Sequence, residues 1–126
     1  MKMIETDRLI LRPLTHQQLV KYLRCDNSLE TEFNLKPTER IIAPELQDAI
    51  EQTILPNVAD KNKNYLFSTI WTAILKSENR LVGDICLYGE PNENGEVEIG
   101  YGIYVGFQNL GLMTEMVSGF IHWLEN

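Results

Sequence analysis

Residues 96–115 of this 126-residue chain read EVEIGYGIYVGFQNLGLMTE, and the run carries most of the chemistry the sequence suggests. A strand passing directly into a helix through a glycine-containing turn aims several backbone N–H groups at one spot, and the positive end of the helix dipole points there too. That is an anion site suited to a pyrophosphate, although a turn of this kind also serves simply to cap a helix. Alternation along the strand puts Val97, Ile99, Tyr101, Ile103 and Val105 on one face and Glu96, Glu98, Gly100, Gly102 and Tyr104 on the other. Two glycines on the polar face leave room for a ligand close to the backbone. Glu98 borders that space. Desolvated on a half-buried strand, it would serve as a general base; solvated, or paired across strands with Arg80, it would be inert.

Other chemistries have less support. With only His16 and His122 and no C-x-x-C or H-x-x-x-H spacing, no metal is expected. Cys25 and Cys86 cannot build a disulfide framework and read as buried free thiols. All eleven Lys and Arg lie in residues 1–80 with eleven of the eighteen acids, whereas 81–126 hold seven acids and no Lys or Arg. The net charge of −7 therefore belongs to the last third, which argues against nucleic acid and for a cationic or amine-bearing partner. No apolar run approaches the roughly 18 residues a membrane span needs, and the acidic start is no signal peptide. We expect no membrane partner and a cytoplasmic location.

The elements that must position these residues follow from periodicity. One domain is expected over 1–126. Residues 8–12 alternate as a short first strand ending at Pro13. Thr15 and Gln18 have capping-box spacing, opening a helix that runs to about Cys25. Residues 26–43 are polar and poorly periodic, and a loop that long has a job or carries a helical turn of its own. Pro44 suits the first turn of a second helix, with Pro56 as its stop or kink. Residues 65–75 and 80–88 read as an antiparallel pair, a turn over 89–95 follows, and 96–105 form a fourth strand. The stripe of Leu112, Met113, Met116, Val117, Phe120, Ile121 and Leu124 predicts a helix over about 110–125, docked on the sheet.

Three segments in order, I-E-T-D-R-L-I-L-R-P-L-T, R-L-V-G-D-I and E-I-G-Y-G-I-Y-V-G-F-Q-N-L-G-L-M-T-E-M, resemble the GNAT N-acetyltransferase superfamily, closest to its Rim-type ribosomal-protein branch. The resemblance implies an α/β fold with a mixed sheet: a strand, two helices, a three-stranded antiparallel meander, then a helix after a pyrophosphate loop. It implies acetyl-CoA as co-substrate, no metal, and direct transfer of acetyl to a primary amine of a small molecule or a protein N-terminus. Gln108, Gly111 and Met113 match the three fixed positions of that loop, Met113 departing from the strict Gly or Ala. By the same resemblance the backbone of Ile103, Tyr104 and Val105 pairs with the pantetheine arm. The amides of Asn109, Leu110, Gly111, Leu112, Met113 and Thr114 face the phosphates, and Glu98 takes the proton of the amine. Family members usually carry basic residues near the loop, and here none follows Arg80. They also continue past this helix with a parallel strand, a helix and a hairpin, which supply the tyrosine acid for the thiolate; no residue here takes that role. The fourth strand should then expose an edge, met by a second copy in a homodimer or by the rest of a longer product. The alternative function is a non-catalytic GNAT-like module that binds acyl-CoA or a protein.

Overall fold

A computed structural model describes residues 3–88 and 90–125; Gly89, the first residue of the predicted turn, falls outside them. Chain order is β1 (Ile4–Glu5), β2 (Leu9–Pro13), α1 (His16–Arg24), α2 (Ser28–Glu32), α3 (Pro44–Ala49), a π turn (Ile50–Ile54), α4 (Leu55–Ala59), a 3₁₀ turn (Tyr65–Phe67), β3 (Ile70–Leu75), β4 (Arg80–Leu87), β5 (Ile99–Ile103) and α5 (Leu112–Leu124). The strands form one sheet in the order β1-β2-β3-β4-β5. Every ladder is antiparallel, so among the described residues the sheet is not mixed.

Local chemistry explains the boundaries. Thr15 and Gln18 exchange both bonds of a capping box at the start of α1, and Pro44 occupies the first turn of α3. Pro56 has no N–H for the preceding turn; the backbone widens to π geometry just before it and the helix continues to Ala59 rather than stopping. The strand expected from residue 65 begins only at Ile70, because the Asn64 side chain caps Leu66 N and winds Tyr65–Phe67 into a 3₁₀ turn. The segment 26–43 contains α2, the helical turn its length called for. Cys25 is a correction: it ends α1 with a φ of 52° and is exposed, while Cys86 is buried as expected.

Two cores flank the sheet. On one face α5 presses Leu112, Met116 and Phe120 onto Leu9, Leu11, Trp71, Val82, Ile85 and Ile103, with Trp71 edge-on to Phe120 at 5.6 Å. On the other, α1, α2 and the α3–α4 helix bury Leu19, Tyr22, Leu29, Ile50 and Ile54 against Ile70, Ile74, Leu81 and Cys86. Leu81 and Cys86 share this second face although they lie an odd number of residues apart. The pairing explains it: Ala73 opposes Gly83 and Ile74 opposes Leu81, so Val82 is an extra residue in β4. Since a one-residue slip moves every following side chain to the other face, this bulge turns Asp84 and Cys86 toward α1.

Candidate active site

β5 is the last strand of the sheet, so the edge it turns away from β4 is unpaired among the described residues. It ends at Ile103, two residues before the expected limit, and starts at Ile99 rather than 96, because Asn92 and Glu96 close a turn of their own. The predicted alternation holds at its end: Ile103 is buried against α5, and Tyr104 packs on the opposite side. Tyr101 and Val105 are exposed.

The following turn takes three left-handed residues, Gly106, Asn109 and Gly111, with φ of 101°, 64° and 78°. Gly111 is the N-cap of α5 and offers no side chain to the helix, so the first amides of α5 have no side-chain cap from that position. The helix begins at Leu112, not Leu110. A cavity of about 320 Å³ is lined by Ile103, Phe107, Gln108, Asn109, Gly111, Leu112, Met113 and Thr114. Gln108 folds back to donate Nε2 to the Ile103 carbonyl at 3.2 Å, and the Leu112 side chain is buried in the core, which leaves only its backbone for a ligand. Leu110 is exposed and does not line the cavity; its carbonyl is turned to Arg8.

A second cavity, about 510 Å³, is lined by Glu39, Arg40, Ile41, Ile103, Tyr104 and Val105. The two cavities share Ile103, the last residue of β5, as a lining residue.

The sequence reading found no cation near the loop. The fold supplies one from far upstream: Arg8, in the turn between β1 and β2, donates Nη1 to the Leu110 carbonyl at 2.8 Å and Nε to Glu115 at 2.7 Å. Nothing in the spacing of residues 81–126 could reveal it, because the contact spans more than a hundred residues.

Glu98 is exposed just before β5, and its carbonyl accepts from Tyr88 N at 2.9 Å. The predicted pairing with Arg80 does not form: Arg80 lies 3.6 Å from Glu78 and donates to the Pro37 carbonyl. Glu98 lines neither cavity, but it shares a strand face with Gly100 and Gly102. Over Gly100 that face is covered by the Tyr88 ring, whereas a Cβ added at Gly102 would meet nothing within 4 Å. Asp84 sits directly opposite Gly102 in the β4–β5 register.

Asp84 leads into a polar cluster that the sequence reading missed. Tyr22 Oη donates to Asp84 Oδ2 at 2.6 Å and lies 3.0 Å from Tyr104 Oη. With its single proton spent on Asp84, Tyr22 accepts from Tyr104, so the three groups form a chain of fixed direction. Arg40 stacks over the Tyr22 ring at 4.5 Å, donates to the Tyr22 carbonyl at 2.9 Å, and pairs with Glu30 at 2.5 Å, both side chains being 1% exposed. Burial raises the Asp84 carboxyl above the ordinary carboxylate range, against the lowering effect of the Tyr22 hydrogen bond and of Arg40. Burial likewise raises the hydroxyls of Tyr22 and Tyr104, and it lifts the Cys86 thiol to about 11. The one sequence signal for this cluster was Asp84 itself, an acid inside an apolar strand pattern.

Among the described residues no group of three or more His, Cys, Asp or Glu is placed to hold a metal ion, and no helix is long and apolar enough to cross a membrane.

Comparison with known proteins agrees with this architecture. A GNAT-family acetyltransferase from Bacillus anthracis superposes with a TM-score of 0.53 at 19% identity, covering 97% of this chain and 65% of that one. A protein assigned as a ribosomal-protein-serine acetyltransferase from Vibrio cholerae gives 0.57 at 21% identity, covering 98% and 66%. A protein assigned to the GNAT acetyltransferases from Bordetella pertussis gives 0.56 at 12% identity, covering 98% and 73%. At these identities the likeness is one of fold. The chain spans about two-thirds of the length of the first two. Among curated proteins none matches. The sequence profile of the acetyltransferase (GNAT) domain matches residues 8–126, nearly the whole chain, and the strand, glycine turn and helix around Gly111 lie inside that match; the chain belongs to the GNAT acetyltransferase domain family.

Proposed function

We propose that this chain is an acetyl-CoA-dependent N-acetyltransferase acting on a primary amine, a small molecule or a protein N-terminus, in the manner of the Rim-type branch. The observation that carries the reading is the placing of two cavities on either side of Ile103, one beside the end of the edge strand β5 and the other at the N-terminus of α5. A planar, extended amide chain suits the first, and an anion suits the second. In this reading the backbone of Ile103, Tyr104 and Val105 binds the pantetheine arm as an added strand. The amides of Asn109 and of Gly111 to Thr114 hold the pyrophosphate, with Gln108 keeping the end of β5 in place.

Acetyl-CoA supplies an activated acetyl thioester, so the protein's task is to orient it, strip a proton from the amine and exclude water. Glu98 is our candidate for taking that proton. It stands at the accessible end of the polar face of β5, with open space along the same face at Gly102. Asp84, Tyr22 and Tyr104, at the far end of the same strand, fix the end of β5 against α1. The acidic last third favours a cationic acceptor.

The test is CoA thiol release over a panel of amines and basic peptide N-termini, run beside thermal unfolding with acetyl-CoA. Turnover together with stabilisation is expected. Stabilisation without turnover would select the non-catalytic acyl-CoA-binding module, and neither would refute both.

A further inference from the structure

Arg8 lies at the loop without lining its cavity, and its bonds there are specific. Its Nη1 donates to the Leu110 carbonyl at 2.8 Å, its Nε to Glu115 Oε1 at 2.7 Å and its main-chain N–H to Glu115 Oε2 at 2.7 Å. The Thr6 hydroxyl adds a bond to Glu115 Oε2 at 2.5 Å. Close packing of α5 on this turn is possible because residue 119 is glycine: a Cβ there would come within 2.6 Å of Thr6 Cγ2.

Two consequences follow for an anion at the loop. The described chain has no cis peptide, and in a trans peptide the C=O and the next N–H point to opposite sides. Holding the Leu110 carbonyl on Arg8 therefore turns the Gly111 N–H away from Arg8, and Gly111 is among the residues that line the cavity. The second consequence concerns Glu115, in the first turn of α5, where its charge would repel an anionic ligand at the same helix end. Burial disfavours that charge, but the bonds from Thr6 and Arg8 outweigh it and hold the carboxyl below the ordinary range. Glu115 stays ionised, drawn aside and paired with Arg8.

We propose that Arg8 is a positioning residue for phosphate binding: it sets the Leu110–Gly111 peptide so that an amide faces a diphosphate, and it neutralises Glu115 beside it. The proposal rests on the acetyl-CoA reading, and it commits to the phosphate end of that molecule only. Arg8 reaches the ligand through the loop, so its loss should be felt only where phosphates are present.

Calorimetric titration of coenzyme A and of phosphate-free pantetheine into wild type and Arg8→Gln separates the cases. We expect Arg8→Gln to weaken coenzyme A about tenfold, the loss of roughly one charge-assisted hydrogen bond, with pantetheine affinity unchanged. Equal weakening of both ligands, or of neither, would overturn the proposal. Failure of the wild type to bind coenzyme A at all would instead refute the functional reading beneath it. Glu115→Gln removes the charge but leaves one acceptor oxygen for the three donors of Thr6 and Arg8; Arg8 can still hold the Leu110 carbonyl, so coenzyme A affinity should fall less than in Arg8→Gln, and an equal or larger loss would count against Arg8 acting as described.

Discussion

Replacing Arg40 by Met should destabilise the protein far more than a substitution in a polar, aperiodic segment ordinarily does. The side chains of Arg40 and Glu30 are each 1% exposed and paired at 2.5 Å, so removing the guanidinium strands a carboxylate in the core. Breaking one partner of a buried pair costs about 3–5 kcal/mol, and the abandoned Tyr22 carbonyl adds to that. For a domain of this size a loss near 4 kcal/mol lowers the melting midpoint by roughly 12–20 °C. The partner experiment is Glu30→Met with Arg40→Met together. Two well-packed apolar side chains in place of a buried pair are often close to neutral, so the double variant should recover most of the loss. It should remain about 1–3 kcal/mol below wild type, because the Tyr22 carbonyl still lacks its donor. Urea unfolding of wild type, Arg40→Met, Glu30→Met and the double variant gives the coupling energy directly. A single-variant loss below about 1 kcal/mol, or a double variant no better than Arg40→Met, would refute the reasoning that the pair is desolvated and interdependent.

Three further outcomes are expected. Gly111→Ala places a side chain at a φ of 78°, a strain of about 1–2 kcal/mol, and should lower both the unfolding midpoint and the affinity for coenzyme A; an unchanged protein would show that the loop does not need that backbone shape. Glu98→Gln should cut turnover by about a hundredfold and shift its pH dependence, whereas an unaltered profile would reject Glu98 as the base. Asp84 is held above the ordinary carboxylate range, so the folded chain keeps its proton longer than the unfolded one. Its stabilising contribution is therefore present at low pH and is lost as pH rises from about 4 through the raised value, and Asp84→Asn should remove that descent in pH-dependent urea unfolding.

Much of the fold was legible because periodicity and turn chemistry act locally. The capping box at Thr15, Pro44 at the start of α3, the stripe of α5 and the β3–β4 hairpin all rest on residues a few positions apart. β1 was not legible: two residues carry no period, and Ile4–Glu5 is a strand only because β2 folds back beside it. The exposed Cys25 and the 3₁₀ turn at Tyr65–Phe67 depend on single capping residues that override an apolar-looking pattern. In the site, the glycine turn and its residues could be named in advance. Arg8 could not, and neither could the Asp84–Tyr22–Tyr104 chain, since a one-residue bulge at Val82 decides which face Asp84 occupies. Contacts of that separation leave no trace in local spacing.

The most direct test of the account is a calorimetric titration of acetyl-CoA into the protein at low and moderate salt. If the amides after Asn109 and the Arg8-braced loop hold a diphosphate, one saturable site appears, and its affinity weakens as salt rises. No heat beyond dilution at either salt concentration would contradict the claim that this loop binds a nucleotide phosphate.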